Sequence, residues 1–174
     1  AEIDSGQVSL VTATGNGNST GMVISAYLEN RTNVSKRVSI NLTSPLYLVN
    51  SGKGQNMVAV QVYRSGGGYS KLGKDMFITL GSRARESVEF LAFCVDFEKD
   101  NPTSYDRFTI GSAPYGINSV MANIKTYIIA NPDEDIGSAG QAALWMAQGI
   151  SIAKIRERFP VSYEEERLAR QFLR

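Results

Sequence analysis

The chain of 174 residues contains no histidine and a single cysteine, Cys94. Without histidine it cannot build a Ser-His-Asp triad, a Cys-His pair or a His-ligated metal site. A single thiol also excludes an intrachain disulfide and a cysteine-rich metal centre. The possibilities that remain are catalysis by carboxylates, catalysis by lysine, or no catalysis at all. We therefore expect a protein that is not an enzyme, with no cofactor and no metal site.

The chain also lacks a charge excess of either sign. It has 18 Lys and Arg residues and 17 Asp and Glu residues, which gives a formal net charge of +1. Proteins that follow a phosphate backbone or an anionic lipid surface carry a basic patch, and none is evident here. No stretch of about 18 apolar residues occurs either. We expect no nucleic-acid partner and no membrane span.

Four Asn-x-Ser/Thr triplets lie in the first quarter of the chain, at Asn18, Asn30, Asn33 and Asn41. Such triplets are acceptor sites for N-glycosylation in secreted proteins, although strands and turns rich in Ser, Thr and Asn also produce them by composition. A polar start at Ala1 is compatible with removal of a signal peptide. We expect an extracellular or cell-surface protein, and these four asparagines are the glycosylation candidates.

Apolar residues alternate with polar ones along most of the first hundred residues. Val58, Val60 and Val62 are one example, and Gly-rich or Ser/Gly-rich turns separate the runs. About seven short strands at this spacing, without helical patterns between them, are typical of an antiparallel sandwich of immunoglobulin-like build. The run 86–97 is apolar on both faces, so we expect a strand that is central or covered by another layer.

The pattern changes after Asn101-Pro102. From Ile117 to Ile128 apolar residues recur at spacings of three and four, which predicts an amphipathic helix that ends before Asn131-Pro132. Further helices are predicted over 139–148 and 151–158, and a capping box at Ser162 starts another. We predict a mainly β protein with a helical C-terminal portion: a β-sandwich over residues 1–110 and a helical subdomain over 111–174 packed on it, within one domain or as two.

Cys94 lies in Phe93-Cys94-Val95-Asp96, and the only tryptophan lies in Gly140-Gln141-Ala142-Ala143-Leu144-Trp145. The two segments resemble the surface thioester domains of bacterial adhesins, which carry an aromatic-Cys-aliphatic strand and a later Thr-Gln-x-Ala-aliphatic-Trp motif. The resemblance covers about a third of the chain.

The resemblance implies that Cys94 is the thiol partner and Gln141 the acyl partner of an internal thioester, formed with loss of ammonia. It implies an adhesion or assembly module whose protein or surface ligand is bound covalently. Gly140 departs from the pattern, because the family usually has Thr there. From the residues alone, Cys94 is also typical of a small buried hydrophobe, or of an exposed reactive thiol.

Two acidic runs could hold a cation or act as a carboxylate pair. Asp96, Glu98, Asp100 and Asp106 form one, and residues 133–135 form the other. Neither has the spacing of a Ca²⁺ loop, and no spacing selects two carboxylates that would flank a glycosidic bond. We interpret both as solvated loops.

The alternative function is a structural subunit of an extracellular filament or pilus. Secreted sandwich proteins can self-assemble into polymers by donating a terminal strand to the open sheet of a neighbour. In this chain the donor would be the first dozen residues, in which the run 7–12 is β-prone.

Overall fold

The computed structural model describes residue 3 and residues 5–17, 20–65 and 77–174. Asn18 and the Gly66-Gly67-Gly68 run lie outside these residues. Six antiparallel strands close into a barrel in the order β1-β2-β7-β5-β4-β8, and β3 and β6 form a separate two-stranded sheet. The strands are β1 (Val8–Gly15), β2 (Thr20–Asn30), β3 (Lys36–Ser39), β4 (Asn41–Asn50), β5 (Met57–Arg64), β6 (Phe77–Leu80), β7 (Arg85–Cys94) and β8 (Arg107–Gly111).

The predicted immunoglobulin-like sandwich is therefore wrong. The last strand, β8, pairs with β4 on one side and with β1 on the other, where Ala13 and Thr14 face it. The register of β1 shifts between Val11 and Thr14, and Thr12 has a φ of 51°. Such a bulge bends a strand and helps a sheet to curl. Alternating apolar residues mark the buried face equally well in a sandwich and in a barrel, so the pattern could not distinguish them.

Four helices follow the barrel: α1 (Ile117–Ala130), α2 (Gly137–Met146), α3 (Ile152–Arg156) and α4 (Tyr163–Phe172). The capping box predicted at Ser162 is confirmed, since its side chain accepts a hydrogen bond from the Glu165 N–H while the Glu165 carboxylate accepts one from the Ser162 N–H. Within the described ranges, no helix combines the length and apolar character needed to cross a membrane. The division at residues 110 and 111 stays a prediction.

The prediction that the 86–97 run forms a covered central strand is confirmed. β7 lies between β2 and β5, and its residues from Phe90 to Cys94 are buried. Helices α1 and α2 contact the outer surface of the sheet, α1 against β4 and β5 and α2 against β2 and β7. Apolar residues on both faces of β7 are explained by this second layer.

Asn30 ties the end of β2 to the turn after β6. Its carboxamide is fully buried, and the Nδ2 group donates hydrogen bonds to the carbonyls of Val34, Leu80 and Gly81. Its Oδ1 accepts hydrogen bonds from the N–H and hydroxyl of Thr32. The side chain therefore satisfies backbone groups of several segments that a smaller residue would leave unpaired.

We predict that Asn30→Ala lowers the free energy of unfolding by about 2–4 kcal/mol, because buried carbonyls lose their donors. The control is Asn33→Ala. Asn33 is exposed and its side chain accepts one exposed hydrogen bond from Arg83, so the change should stay within about 0.5 kcal/mol. Urea denaturation of both variants checks this, and equal losses would contradict the role given to Asn30.

Candidate functional site

Cys94 is the last residue of β7 and is fully buried. Its partner across the sheet is Met57 of β5, and its sulfur lies 3.3 Å from Met57 Sδ. The thiol also lies 3.9 Å from Oδ1 of Asn101, an exposed residue of the loop that follows. Cys94 thus stands at the end of the barrel, with an exposed polar residue close to its sulfur.

The surroundings of Cys94 keep its thiol protonated. Burial raises the pKa of the Cys94 thiol well above its usual range, and the negative charge of Asp96 raises it further. Reactive cysteines have the opposite environment, with a positive charge or a helix N-terminus that favours the thiolate. As a free thiol, Cys94 is therefore a poor nucleophile toward reagents in solution.

The Gln141 carboxamide lies directly against the peptide backbone of Cys94. The Cys94 N–H donates to Gln141 Oε1 at 2.8 Å, and Gln141 Nε2 donates to the Cys94 carbonyl at 2.6 Å. Both residues are fully buried, although 47 positions separate them in the sequence. The structure therefore brings the two predicted partners together.

The side chain of Gln141 continues the pairing of the sheet. On the β2 side of β7 the described register ends at Thr20 and Phe93, one residue before Cys94. Backbone donors and acceptors that are buried need partners, and the carboxamide supplies both for Cys94. This pairing lies in the plane of the sheet. Strand side chains project out of that plane, so the Cys94 side chain lies on one face of the Gln141 carboxamide.

Helix α2 presents one face to the end of β7 and to the segment after it. Gln141 and Trp145 are four positions apart and therefore lie on the same side of the helix. Trp145 packs edge-on against Phe97, with 5.0 Å between ring centroids. Just beyond the helix, Gln148 donates from Nε2 to the Val95 carbonyl at 2.7 Å. Glutamine side chains thus cap two successive residues at this end of the barrel.

The departure at Gly140 has a steric cause. A Cβ built at Gly140 would lie 2.8 Å from Cε1 of Phe93 and 3.2 Å from Cδ1 of Ile136. Real Cβ atoms essentially never approach another heavy atom within 3.0 Å. Helix α2 approaches β7 so closely at this point that any side chain larger than that of glycine would force the Phe93 ring to shift.

Sequence reasoning missed three residues of this site. Met57 and Asn101 are the neighbours of the Cys94 sulfur, and Gln148 caps Val95. The seven-residue spacing from Gln141 to Gln148, two turns of a helix, was a usable signal for the last of them. Met57 and Asn101 had no such signal, since their approach depends on strand register and a loop.

Gln55 and Gln61 precede Cys94 in the sequence and have other hydrogen-bond partners. Gln61 donates to Asn41 Oδ1, and Gln55 donates to the Lys99 carbonyl. Of the glycosylation candidates, Asn30 is buried, Asn33 is exposed and Asn41 is half-buried, while Asn18 lies outside the described residues.

The acidic runs are engaged by neighbouring residues. Asp96 accepts a hydrogen bond from the Asn56 N–H, and Glu98 forms an ion pair with Lys154 at 2.7 Å. Over residues 5–17, 20–65 and 77–174, no three Asp, Glu or Cys side chains converge as a metal site would require.

Comparison with known proteins found that no protein-family model, curated protein or solved structure matches this chain significantly. The case for the site therefore rests on its own residues and geometry.

We predict that Gly140→Ala lowers the free energy of unfolding by about 1–3 kcal/mol, because a methyl group overpacks the contact with Phe93. The control is Gly137→Ala in the same helix, where the nearest heavy atom is a carboxylate oxygen of the exposed Asp135 at 3.2 Å. Thermal and urea unfolding measure both effects. A neutral Gly140→Ala would show that helix and strand are not in close contact.

Proposed function

We propose that this chain is a surface module of the thioester-domain type, in which Cys94 and Gln141 form an internal thioester used for adhesion or assembly. The observation that supports the proposal is the pair of hydrogen bonds between the Gln141 carboxamide and the Cys94 peptide. These bonds hold the glutamine against the backbone of the chain's only cysteine, with both side chains buried, which favours such a bond.

In the first step the Cys94 sulfur adds to the carboxamide carbon of Gln141. The thiol proton passes to the amide nitrogen, the C–N bond breaks, and ammonia leaves as the C–S bond forms. The Cys94 N–H, 2.8 Å from Oε1, polarises the carbonyl and stabilises the negative charge that develops on this oxygen. A nucleophile attacks a carboxamide from above or below the plane of the amide group. The Cys94 side chain projects out of the sheet on one of these two sides.

Burial then protects the bond from hydrolysis. A thiol whose pKa is raised is a poor leaving group, and the surroundings that raise the pKa of the Cys94 thiol also exclude water. In the second step an amine of the ligand attacks the acyl carbon. A new amide forms between the ligand and Gln141, and Cys94 regains its proton. The module acts once, without turnover.

The partner in this proposal is a protein or another surface ligand that carries a nucleophile, met outside the cell after a signal peptide has been removed. Asn101 is exposed and its Oδ1 lies 3.9 Å from the Cys94 sulfur, so in this proposal the nucleophile enters at the loop after β7. The exposed Asn33 remains a candidate for glycosylation in that setting.

The filament alternative gains no specific support from the structure. Val8–Val11 of the proposed donor segment pair with β2 of the same chain, and β1 closes the barrel against β8. Donor-strand exchange would therefore require the barrel to open. Self-assembly stays a prediction, checked by size-exclusion chromatography of the intact chain over a range of concentrations.

We predict that isotopically labelled methylamine becomes attached to the chain at Gln141, because it replaces Cys94 at the acyl carbon. Tandem mass spectrometry of the digested protein locates the label. Each chain with an intact thioester should bind one methylamine. When the treated protein is unfolded, one thiol that reacts with iodoacetamide should appear for each bound methylamine.

The variants Cys94→Ser and Gln141→Glu are the controls, since neither can form the thioester. Gln148→Glu is the matched control, as it changes a neighbouring glutamine that pairs with Val95 and leaves the pair intact. Labelling of Cys94→Ser equal to that of the unaltered chain would refute the proposal, as would an unlabelled chain whose Cys94 is fully alkylated on unfolding.

A further inference from the structure

The side chain of Asn101 places an oriented hydrogen-bond acceptor at the Cys94 sulfur. Its Nδ2 donates to the Gly17 carbonyl at 3.2 Å, which fixes the carboxamide against the residues that follow β1. Its Oδ1 lies 3.9 Å from the sulfur, the distance of a weak hydrogen bond from the thiol. Asn101 is itself an exposed residue. One end of this carboxamide is therefore held by the protein, and the other end meets the thiol.

The backbone on both sides of Asn101 is also held in place. The Gln55 N–H donates to the Asp100 carbonyl at 3.0 Å, and the Gly17 N–H donates to the Pro102 carbonyl at 2.6 Å. The residues immediately before and after Asn101 are thus tied to two different segments of the chain. A side chain that is held in this way loses little conformational freedom when it binds a second molecule.

A polar cleft leads to the same residue. Asn101 lines this cleft together with the charged residues Asp100 and Arg158, and the cleft has a volume of about 180 Å³. A water molecule occupies about 30 Å³ of liquid, so there is room for a small polar nucleophile. Because Asn101 both lines the cleft and contacts the thiol, a nucleophile in the cleft lies within reach of its carboxamide.

Formation of a thioester would change the hydrogen bonding of Asn101. The sulfur of a thioester carries no proton, so Oδ1 would lose the thiol as a donor. An attacking amine brings N–H groups of its own, and its nitrogen becomes positively charged as it bonds to the acyl carbon. Hydrogen bonds from a charged donor are stronger than those from a neutral one. The contact with Oδ1 would therefore strengthen as the reaction proceeds, which is how a binding contact accelerates a reaction.

We propose that Asn101 binds the attacking amine and favours amines over water at the thioester. The inference rests on the proposed function of Cys94 and Gln141. In the step it assists, the C–N bond to the ligand forms, the C–S bond breaks, and one proton passes from the nitrogen to the sulfur. Water needs a base to take its proton as it attacks. A neutral carboxamide stabilises a charged N–H group but is not such a base.

Asn101→Ala removes the acceptor and tests the role directly. The variant should keep the mass deficit of one ammonia, because Asn101 takes no part in forming the bond. Its reaction with labelled methylamine should be roughly tenfold slower, the usual contribution of one hydrogen bond. Asn33→Ala changes another exposed asparagine, whose side chain contacts Arg83, and should react at the rate of the unaltered chain.

Asn101→Asp separates the acceptor from the contact that holds the loop. It keeps an oxygen at the position of Oδ1 and loses the Nδ2 donor to Gly17. Methylamine should therefore react faster than in Asn101→Ala. The new carboxylate also supplies a base for water, so hydrolysis without amine should be at least tenfold faster than in the unaltered chain. Intact mass measures hydrolysis as the gain of one water, and thermal unfolding verifies that each variant folds.

The outcomes distinguish this inference from the proposed function. An unaltered chain without the ammonia deficit would refute the thioester and the role of Asn101 together. A deficit in every variant, with an unchanged methylamine rate in Asn101→Ala, would overturn the role of Asn101 alone. Equal slowing in Asn101→Ala and Asn101→Asp would also overturn it, since Asn101 would then only support the loop. Loss of the deficit in Asn101→Ala alone would assign the residue to formation of the bond instead.

Discussion

The pairing of the Gln141 carboxamide with the Cys94 peptide is the interaction on which the rest of the site depends. It joins helix α2 to the end of β7 by two short hydrogen bonds between fully buried residues. Buried backbone groups left unpaired at this point would destabilise the fold, so the contact fixes where the helix lies. The positions of Trp145 and Gln148 then follow from helical geometry. Trp145 packs against Phe97, and Gln148 donates a hydrogen bond to the Val95 carbonyl.

Close packing behind the pair holds this geometry. Phe93 points away from the barrel interior toward α2, where the missing side chain of Gly140 makes room for its ring. Phe93 and Cys94 lie on opposite faces of β7, and both are buried. This is possible because the barrel covers one face of the strand and the helical layer covers the other. The same two layers desolvate the thiol and raise its pKa. Structural support and chemical shielding of Cys94 therefore come from one set of contacts.

Local patterns in the sequence predicted the elements well but not their closure. The helix from Ile117 and the capping box at Ser162 depend on contacts within a few residues, and both were found. The barrel depends on a bulge at Thr12 and on pairing between β1 and β8, almost a hundred positions apart. The motif resemblance was the only reason to expect Cys94 and Gln141 close together, since 47 positions separate them in the sequence. Met57 and Asn101 had no local signature.

The central claim is that the hydrogen-bonded pair of Cys94 and Gln141 matures into a covalent bond. The intact mass of the untreated, unfolded chain tests it most directly, since thioester formation removes one molecule of ammonia. A mature thioester lowers the mass below that of the sequence by one ammonia per chain, with no deficit in Cys94→Ser. A mass equal to that of the sequence, with one thiol that reacts freely on unfolding, would contradict it and leave Gln141 as a structural brace for β7.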